Sequence, residues 1–231
     1  MKRLINADDV IFDVINYILL SLVLLIIIYP LYFIIIASIS SPLEVLNGNV
    51  IFLPKGITLD AFRLIFKDKD ILTGYRNTIL YTVIGTFINI MMTIFAAYPL
   101  SRKDWVGRKF FTFILVLTMF FSGGLIPSYI LITKLGIYNT VWAMLIPGAV
   151  SLWNVIITRT YFSSSIPDSL PEAAFIDGCS NLKLLFRIIL PLSKPVLAVM
   201  VLFYGVSHWN SFFSALIYLN NRKLFPLQLI L

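Results

Sequence analysis

Charge is what this chain has least of. Asp, Glu, Lys and Arg make up 13% of its 231 residues, against 59% hydrophobic, a balance few water-soluble proteins approach. Cysteine and histidine occur once each, as Cys179 and His208, so no intrachain disulfide can form and those ligands cannot build a metal cluster. Cys179 merely follows a turn glycine, which makes it a poor reactive thiol. The phosphate-cradling pattern G-x-x-x-x-G-K-[ST] does not occur, so any ATP is bound by another chain. No serine sits in a nucleophile motif that His208 could serve as base, and no catalytic constellation is present. Basic residues outnumber acidic ones 18 to 11, but they are scattered through the polar connections. That distribution suits membrane edges and not a nucleic-acid-binding stripe.

What is there is apolar sequence in long blocks, with a mean hydropathy of +0.93. Five runs are free of Asp, Glu, Lys and Arg: Val14–Leu43, Asn77–Ser101, Phe110–Thr133, Leu135–Thr158 and Pro195–Asn221. Each would reach about 36 Å or more as a helix, enough to cross roughly 30 Å of hydrocarbon. Alternating barrel strands do not give such continuous runs, and in lipid a helix satisfies its own backbone. The first run is too long for a signal-peptide core and no small-residue cleavage site follows it, so it reads as a retained span. The expectation is an all-α, polytopic transmembrane helical bundle of five spans. Residues 1–231 form a single domain, with no internal repeat and no low-complexity linker.

Orientation follows from the basic residues. The short loop 102–109 holds Arg102, Lys103, Arg108 and Lys109, whereas the turn near Lys134 holds one. The positive-inside rule places that loop, the N-terminus and residues 159–194 in the cytoplasm, and 44–76 outside. Arg222 and Lys223, on the expected outer side, run against the rule. Within 44–76, the stretch Thr58–Phe66 carries a helix signal and reads as an interfacial or scoop-like element.

One polar stretch, Pro167 to Pro191, stands apart from the apolar blocks. Ser169-Leu170-Pro171-Glu172 is a helix-start signal, with Ser169 as cap and Glu172 reaching back. Gly178 suits the left-handed position that ends a helix. A second helix is expected from about Asn181, with Leu182, Leu185, Phe186 and Ile189 forming one apolar stripe, and with Lys183 and Arg187 on another face. A helix–turn–helix of this kind is suited to docking into another protein's groove.

Glu172-Ala173-Ala174, Gly178 and Ile188-Ile189-Leu190-Pro191 resemble, in identity and spacing, the EAA loop of ATP-binding-cassette importer permeases. Further stretches are similar to the maltose-type carbohydrate importers, especially permeases that work beside lipoprotein receptors for complex oligosaccharides. These are Phe120–Pro127, Tyr138–Ala143, Leu190–Pro195 and His208-Trp209-Asn210. The resemblance implies the multi-pass permease subunit of an ATP-driven importer in the cell membrane, forming half of the translocation pathway. It implies a second, different permease as partner, two ATPase subunits that carry ATP and Mg, and an extracytoplasmic sugar-binding lipoprotein. The chain itself would bind no cofactor. ATPase coupling would fall to Glu172, Ala173, Ala174, Asp177, Gly178, Leu182 and Phe186 in loop 167–191. Such permeases carry a sixth span after this core, and Phe225–Leu231 resembles the approach to it, so a C-terminally incomplete chain is expected. The competing readings are a permease for amino acids or peptides and a non-transporting membrane scaffold.

Polar, aromatic and helix-breaking residues inside the apolar runs are the candidates for the substrate pathway, because intramembrane polar groups are costly and often line one. They are Ser122, Gly123, Gly124, Pro127, Tyr129, Asn154, Tyr204, His208, Trp209 and Asn210. The Ser122-Gly123-Gly124…Pro127 segment is expected to break the third span and line a cavity with loosened backbone. For His208, packing beside Trp209 and Asn210 is weighed above proton relay, since no span holds a carboxylate to pair with it. Asn89, Asn154 and Asn210 read by default as interhelical hydrogen bonders.

Overall fold

A computed structural model describes residues 7–121 and 123–231, and it divides between Asp68 and Lys69 into two compact units. In the first unit, α1 (Ala7–Ser38) is a 32-residue apolar helix. Its side chains from Val10 onward stand mostly exposed, as suits a helix whose surroundings are lipid. The chain after it folds back on the end of α1. Ser40 Oγ donates to the Ile36 carbonyl at 2.6 Å and accepts from the Lys55 amide at 3.2 Å, while the Tyr32 hydroxyl donates to the Phe52 carbonyl. Two short helices follow, α2 (Pro42–Leu46) and α3 (Asp60–Lys67). Helix α3 is the one signalled at Thr58, whose Oγ accepts from the Asp60 amide at 3.2 Å.

The second unit is built on α4 (Lys69–Ser101), whose 33 residues begin eight positions before the uncharged run. Then come α5 (Arg108–Phe120), α6 (Leu125–Lys134), α7 (Trp142–Leu145) and α8 (Leu152–Ser165). Next are α9 (Ser169–Ile176), α10 (Asn181–Leu184), a π-helical turn over Leu185–Ile189, α11 (Leu190–Leu192) and α12 (Lys194–Trp209). The chain continues through α13 (Phe212–Tyr218), a 3₁₀ turn over Arg222–Leu224, and α14 (Leu227–Ile230).

The described residues form helices, as expected, but not five uninterrupted ones. Among the described residues, two helices are long and apolar enough to cross a membrane alone, or up to four if two bent pairs are counted. The α5–α6 pair is bent by 114°, and the 181–192 stretch and α12 by 84°. The run Leu135–Thr158 is not a helix over most of its length. Gly136 (φ +70°) and Asn139 (φ +57°) take left-handed backbone after α6, and Pro147 offers no amide to a helix at that point. Ser151 then opens α8, with its Oγ accepting from the Asn154 amide. Likewise Pro195–Asn221 is interrupted after Trp209, where the Asn210–Ser211 step separates α12 from α13. An absence of charge therefore does not mark helix continuity here.

Helix α4 ties the ends of the unit together. Near its start, Asn77 Nδ2 donates to the carbonyls of Lys223 (2.8 Å) and Phe225 (3.0 Å), and Arg222 pairs with Asp70 at 2.8 Å. At its other end, the Leu100 carbonyl accepts from Arg159 Nε (3.0 Å) and the Ser101 carbonyl from Ser163 Oγ (3.3 Å). Loop 102–109 and the 159–191 segment thus share one end, while 70–77 and 222–225 share the other. The carboxylate of Asp70 offsets Arg222, one of the two residues, with Lys223, that ran against the charge rule. The main core lies at the first of these ends, among Ile94, Ala97, Val155, Phe162, Leu184, Leu185, Ile189 and Met200.

Candidate functional site

Two arrangements stand out in the second unit, a helical loop on its surface and a polar cavity within it. In the loop, Gly178 has φ +72°. The Cys179 amide bonds the Ala174 carbonyl at 2.9 Å and the Gly178 amide bonds the Phe175 carbonyl at 3.0 Å. This pair of bonds is the Schellman arrangement, in which a left-handed residue satisfies the last carbonyls of a helix. The expected capping box at the other end of α9 does not form. Ser169 is already the first helical residue and Asp168 occupies the cap position without a side-chain cap. Its carboxylate is engaged elsewhere, with Lys103 Nζ at 2.5 Å.

The expected apolar stripe is also split. Leu185 and Ile189 are buried with Leu184, whereas Leu182 is 63% and Phe186 44% exposed. The π-helical turn over Leu185–Ile189 changes the residue spacing per turn. Its place is physically sensible, since Pro191 cannot donate to the Arg187 carbonyl and its ring crowds that position. Phe186 meets the Phe95 ring edge-on at 6.3 Å. Of the seven residues assigned to docking, Glu172, Ala173, Asp177, Gly178, Leu182 and Phe186 are exposed, and Ala174 lies in the unit's own core.

Loop 102–104 braces this surface. Arg102 grips Asp104 through two bonds of 2.9 Å and places its guanidinium 5.0 Å from the centre of the Phe175 ring. Hydrogen bonding from Arg102 holds the Asp104 carboxyl below the usual carboxylate range. Arg102, Asp104, Asp168, Glu172 and Phe175 line a cleft of about 360 Å³. In sequence, Arg102 and Lys103 carried only a topological message. Their pairing with α9 has no signature in spacing, because Lys103 and Asp168 are 65 residues apart.

The cavity, of about 500 Å³, lies among α4, α12 and the 143–154 segment. His208 Nε2 meets Asn89 Oδ1 at 2.6 Å, and Asn89 Nδ2 donates to the Gly148 carbonyl at 2.5 Å. Tyr204 and Thr93 hydroxyls lie 2.6 Å apart, and the Ser151 amide donates to Tyr204 at 3.3 Å. The polar partner of His208 is therefore Asn89 of α4 and not its neighbours Trp209 and Asn210. Four pathway candidates, Asn154, Tyr204, His208 and Asn210, line this cavity, with Ser151, Ser207 and Ser211 beside them. Among the described residues, no Asp, Glu, Lys or Arg belongs to its wall. Gly123, Gly124, Pro127, Tyr129 and Trp209 do not line it. The expected break in the third apolar run occurs between α5 and α6, with Gly124 at φ +83°. Tyr129 packs edge-on to Tyr138, at 5.5 Å between ring centres. Ser122 lies outside the described residues.

Residues 71–229 match the profile of a family described as the binding-protein-dependent transport system inner membrane component. The chain is 39% identical over 220 residues to the polygalacturonan/rhamnogalacturonan transport system permease protein YtcP of Bacillus subtilis, covering 95% of this chain and 77% of that one. It is 32% identical over 208 residues to the arabinooligosaccharides transport system permease protein AraQ of Halalkalibacterium halodurans, covering 87% and 74%. Among solved structures, it superposes on a chain of a bacterial ABC transporter involved in the import of the acidic polysaccharide alginate. The TM-score there is 0.95 and the identity 36%, over 99% of this chain and 81% of the other.

Proposed function

The chain belongs to the binding-protein-dependent transport system inner membrane components, and on that premise we propose that it is the permease subunit of an ATP-driven importer of complex oligosaccharides. The observation that carries the substrate class is the 39% identity across 95% of the chain to a permease named for polygalacturonan and rhamnogalacturonan transport. The cavity supports it chemically. Its hydroxyls, amides and aromatic faces suit a ligand rich in hydroxyl groups.

In this reading the loop at 167–191 receives an ATPase subunit in the cytoplasm. Glu172, Asp177, Leu182 and Phe186 present the contacts, and Gly178 sets the angle between the two helices. Closure of the ATPase pair on ATP moves the loop. Lys103–Asp168 and Arg102–Phe175 pass that motion to the end of α4, whose middle carries Asn89 and Thr93 in the cavity wall. The spans then rock between inward- and outward-open states about the cavity. A second permease completes the pathway, two ATPases bind ATP and Mg, and an external binding protein delivers the sugar.

The test is reconstitution of the chain with its second permease, ATPase and binding protein in vesicles. The expected result is ATP-dependent uptake of oligosaccharide and none of peptides. Uptake of neither, with the complex intact, sinks the reading. Orientation has its own check. A cysteine placed at Gly107 is expected to be shielded from an impermeant thiol reagent outside intact cells, and one at Lys69 to be labelled. The reverse pattern overturns the cytoplasmic assignment of the docking loop.

A further inference from the structure

The first turn of α5 is built against the usual electrostatic preference of helices. Arg108 and Lys109 open the helix, no acidic residue lies in its first turn, and Gly107 supplies no side-chain cap. Two cations thus sit at the positive end of the helix dipole, where anions are favoured. A third basic group reaches the same place from another helix. Arg159 of α8 is half-buried, uses its Nε on the Leu100 carbonyl, and lines the same groove as Arg108. Among the described residues, no carboxylate lies within ion-pair distance of Arg108, Lys109 or Arg159. Lys103, on the same rim, is already paired with Asp168.

These groups converge on a groove of about 730 Å³. Its remaining wall is largely apolar, with Trp105, Val106, Phe113 and Val116. Lys109, Thr112, Phe113 and Val116 follow i, i+3, i+4, i+7 along α5, so one helix face runs from a charged head into an apolar stripe. An acidic protein surface would answer the charges but would have no use for the stripe leading into the membrane. A molecule with an anionic head and an acyl tail answers both.

We propose that this groove, between the start of α5 and Arg159 of α8, binds an anionic glycerophospholipid. The lipid phosphate lies among Arg108, Lys109 and Arg159, and one acyl chain lies along Phe113 and Val116. The inference rests on the reading of the chain as a membrane permease with loop 102–109 at the membrane edge. A bound lipid there would fasten the loop that braces α9, since Arg108 follows Asp104 by only four positions.

The test uses the full chain, purified in neutral detergent, and labelled phosphatidylglycerol or phosphatidylcholine as the probe. Each basic side chain near an anionic lipid surface is expected to contribute about fivefold in affinity. The pair Arg108→Gln/Lys109→Gln is therefore expected to weaken phosphatidylglycerol binding roughly 25-fold. Arg159→Gln should weaken it about fivefold, but that variant also removes a bond to α4. The 108/109 pair involves no such bond and keeps the test independent of folding. The pair Lys183→Gln/Arg187→Gln removes the same charge at the same end and is expected to change binding less than about twofold, unlike loss of two groove cations. Equal loss in that control, or equal binding of phosphatidylcholine, overturns the proposal. Displacement of the lipid by inorganic phosphate alone assigns the groove to a free anion and also overturns it. Lipid binding is read without transport, so its failure is distinguishable from failure of the importer reading.

Discussion

Gly178→Val is expected to lower coupled uptake about 5- to 30-fold while the chain still inserts and is recovered at normal yield. The residue has φ +72°, which costs an L-residue about 1–2 kcal/mol and a β-branched one more. A Cβ there would meet nothing within 4 Å, so the penalty is conformational and not steric. Relaxing the turn breaks the paired bonds to the Ala174 and Phe175 carbonyls and re-aims α9 against the buried Leu184–Leu185 anchor. A cost of that size lowers the population of the correct turn about 5- to 30-fold. Gly178→Asn is the informative companion, because Asn enters left-handed backbone readily. Uptake and co-purification of the ATPase should survive in the Asn variant and fall in the Val variant. Equal behaviour of the two variants would falsify the role assigned to the turn.

That turn was legible in sequence because glycine at a helix end has one common physical reason. The rest of the loop was less so. The Ser-x-x-Glu spacing pointed to a capping box, but Asp168 is drawn to Lys103 and α9 begins a residue earlier. That competitor is a tertiary ion pair, which local spacing cannot report. The apolar stripe failed for a different reason. Helical periodicity assumes an α-helix throughout, and the π-helical turn before Pro191 changes the period where Leu185, Phe186 and Ile189 were being counted. The result bears on function. Leu185 and Ile189 hold the loop to its own unit, and Leu182 with Phe186 stays exposed.

The cavity shows the same limit from the other side. Polar residues in apolar runs were legible as unusual, and Asn154, Tyr204, His208 and Asn210 do converge. What sequence could not give is the pairing, because Asn89 and His208 are 119 residues apart and the Gly148 carbonyl has no side chain to mark it. The segment 146–151 is uncharged and apolar enough to pass for membrane helix. Its loosened backbone is instead what offers a carbonyl to Asn89, the use expected of irregular chain at membrane depth when it borders a cavity.

The second large effect follows from how closely α4 and α12 approach at this network. A Cβ added to Gly85 would overlap the His208 ring itself. The ring cannot simply swing aside, because Nε2 is held by Asn89 at 2.6 Å and Asn89 is in turn held by Gly148. Gly85→Ala is therefore expected to force either a separation of the two helices or a broken His208–Asn89 bond. Overpacking typically costs about 1–3 kcal/mol, and an unpaired buried polar group adds about 1–3 kcal/mol. Thermal unfolding in detergent should come at clearly lower temperature and uptake should be lost. His208→Ala alone is damaging for the opposite reason, leaving a void and an unpaired Asn89 oxygen. The double variant Gly85→Ala/His208→Ala is the decisive one, since the new methyl group occupies part of the space the ring leaves. Its destabilisation should fall below the sum of the single variants by about 0.5–3 kcal/mol, the range for residues in direct contact. Strict additivity would mean that Gly85 and His208 do not constrain each other. The approach of α4 to α12 would then have to be set elsewhere along the two helices.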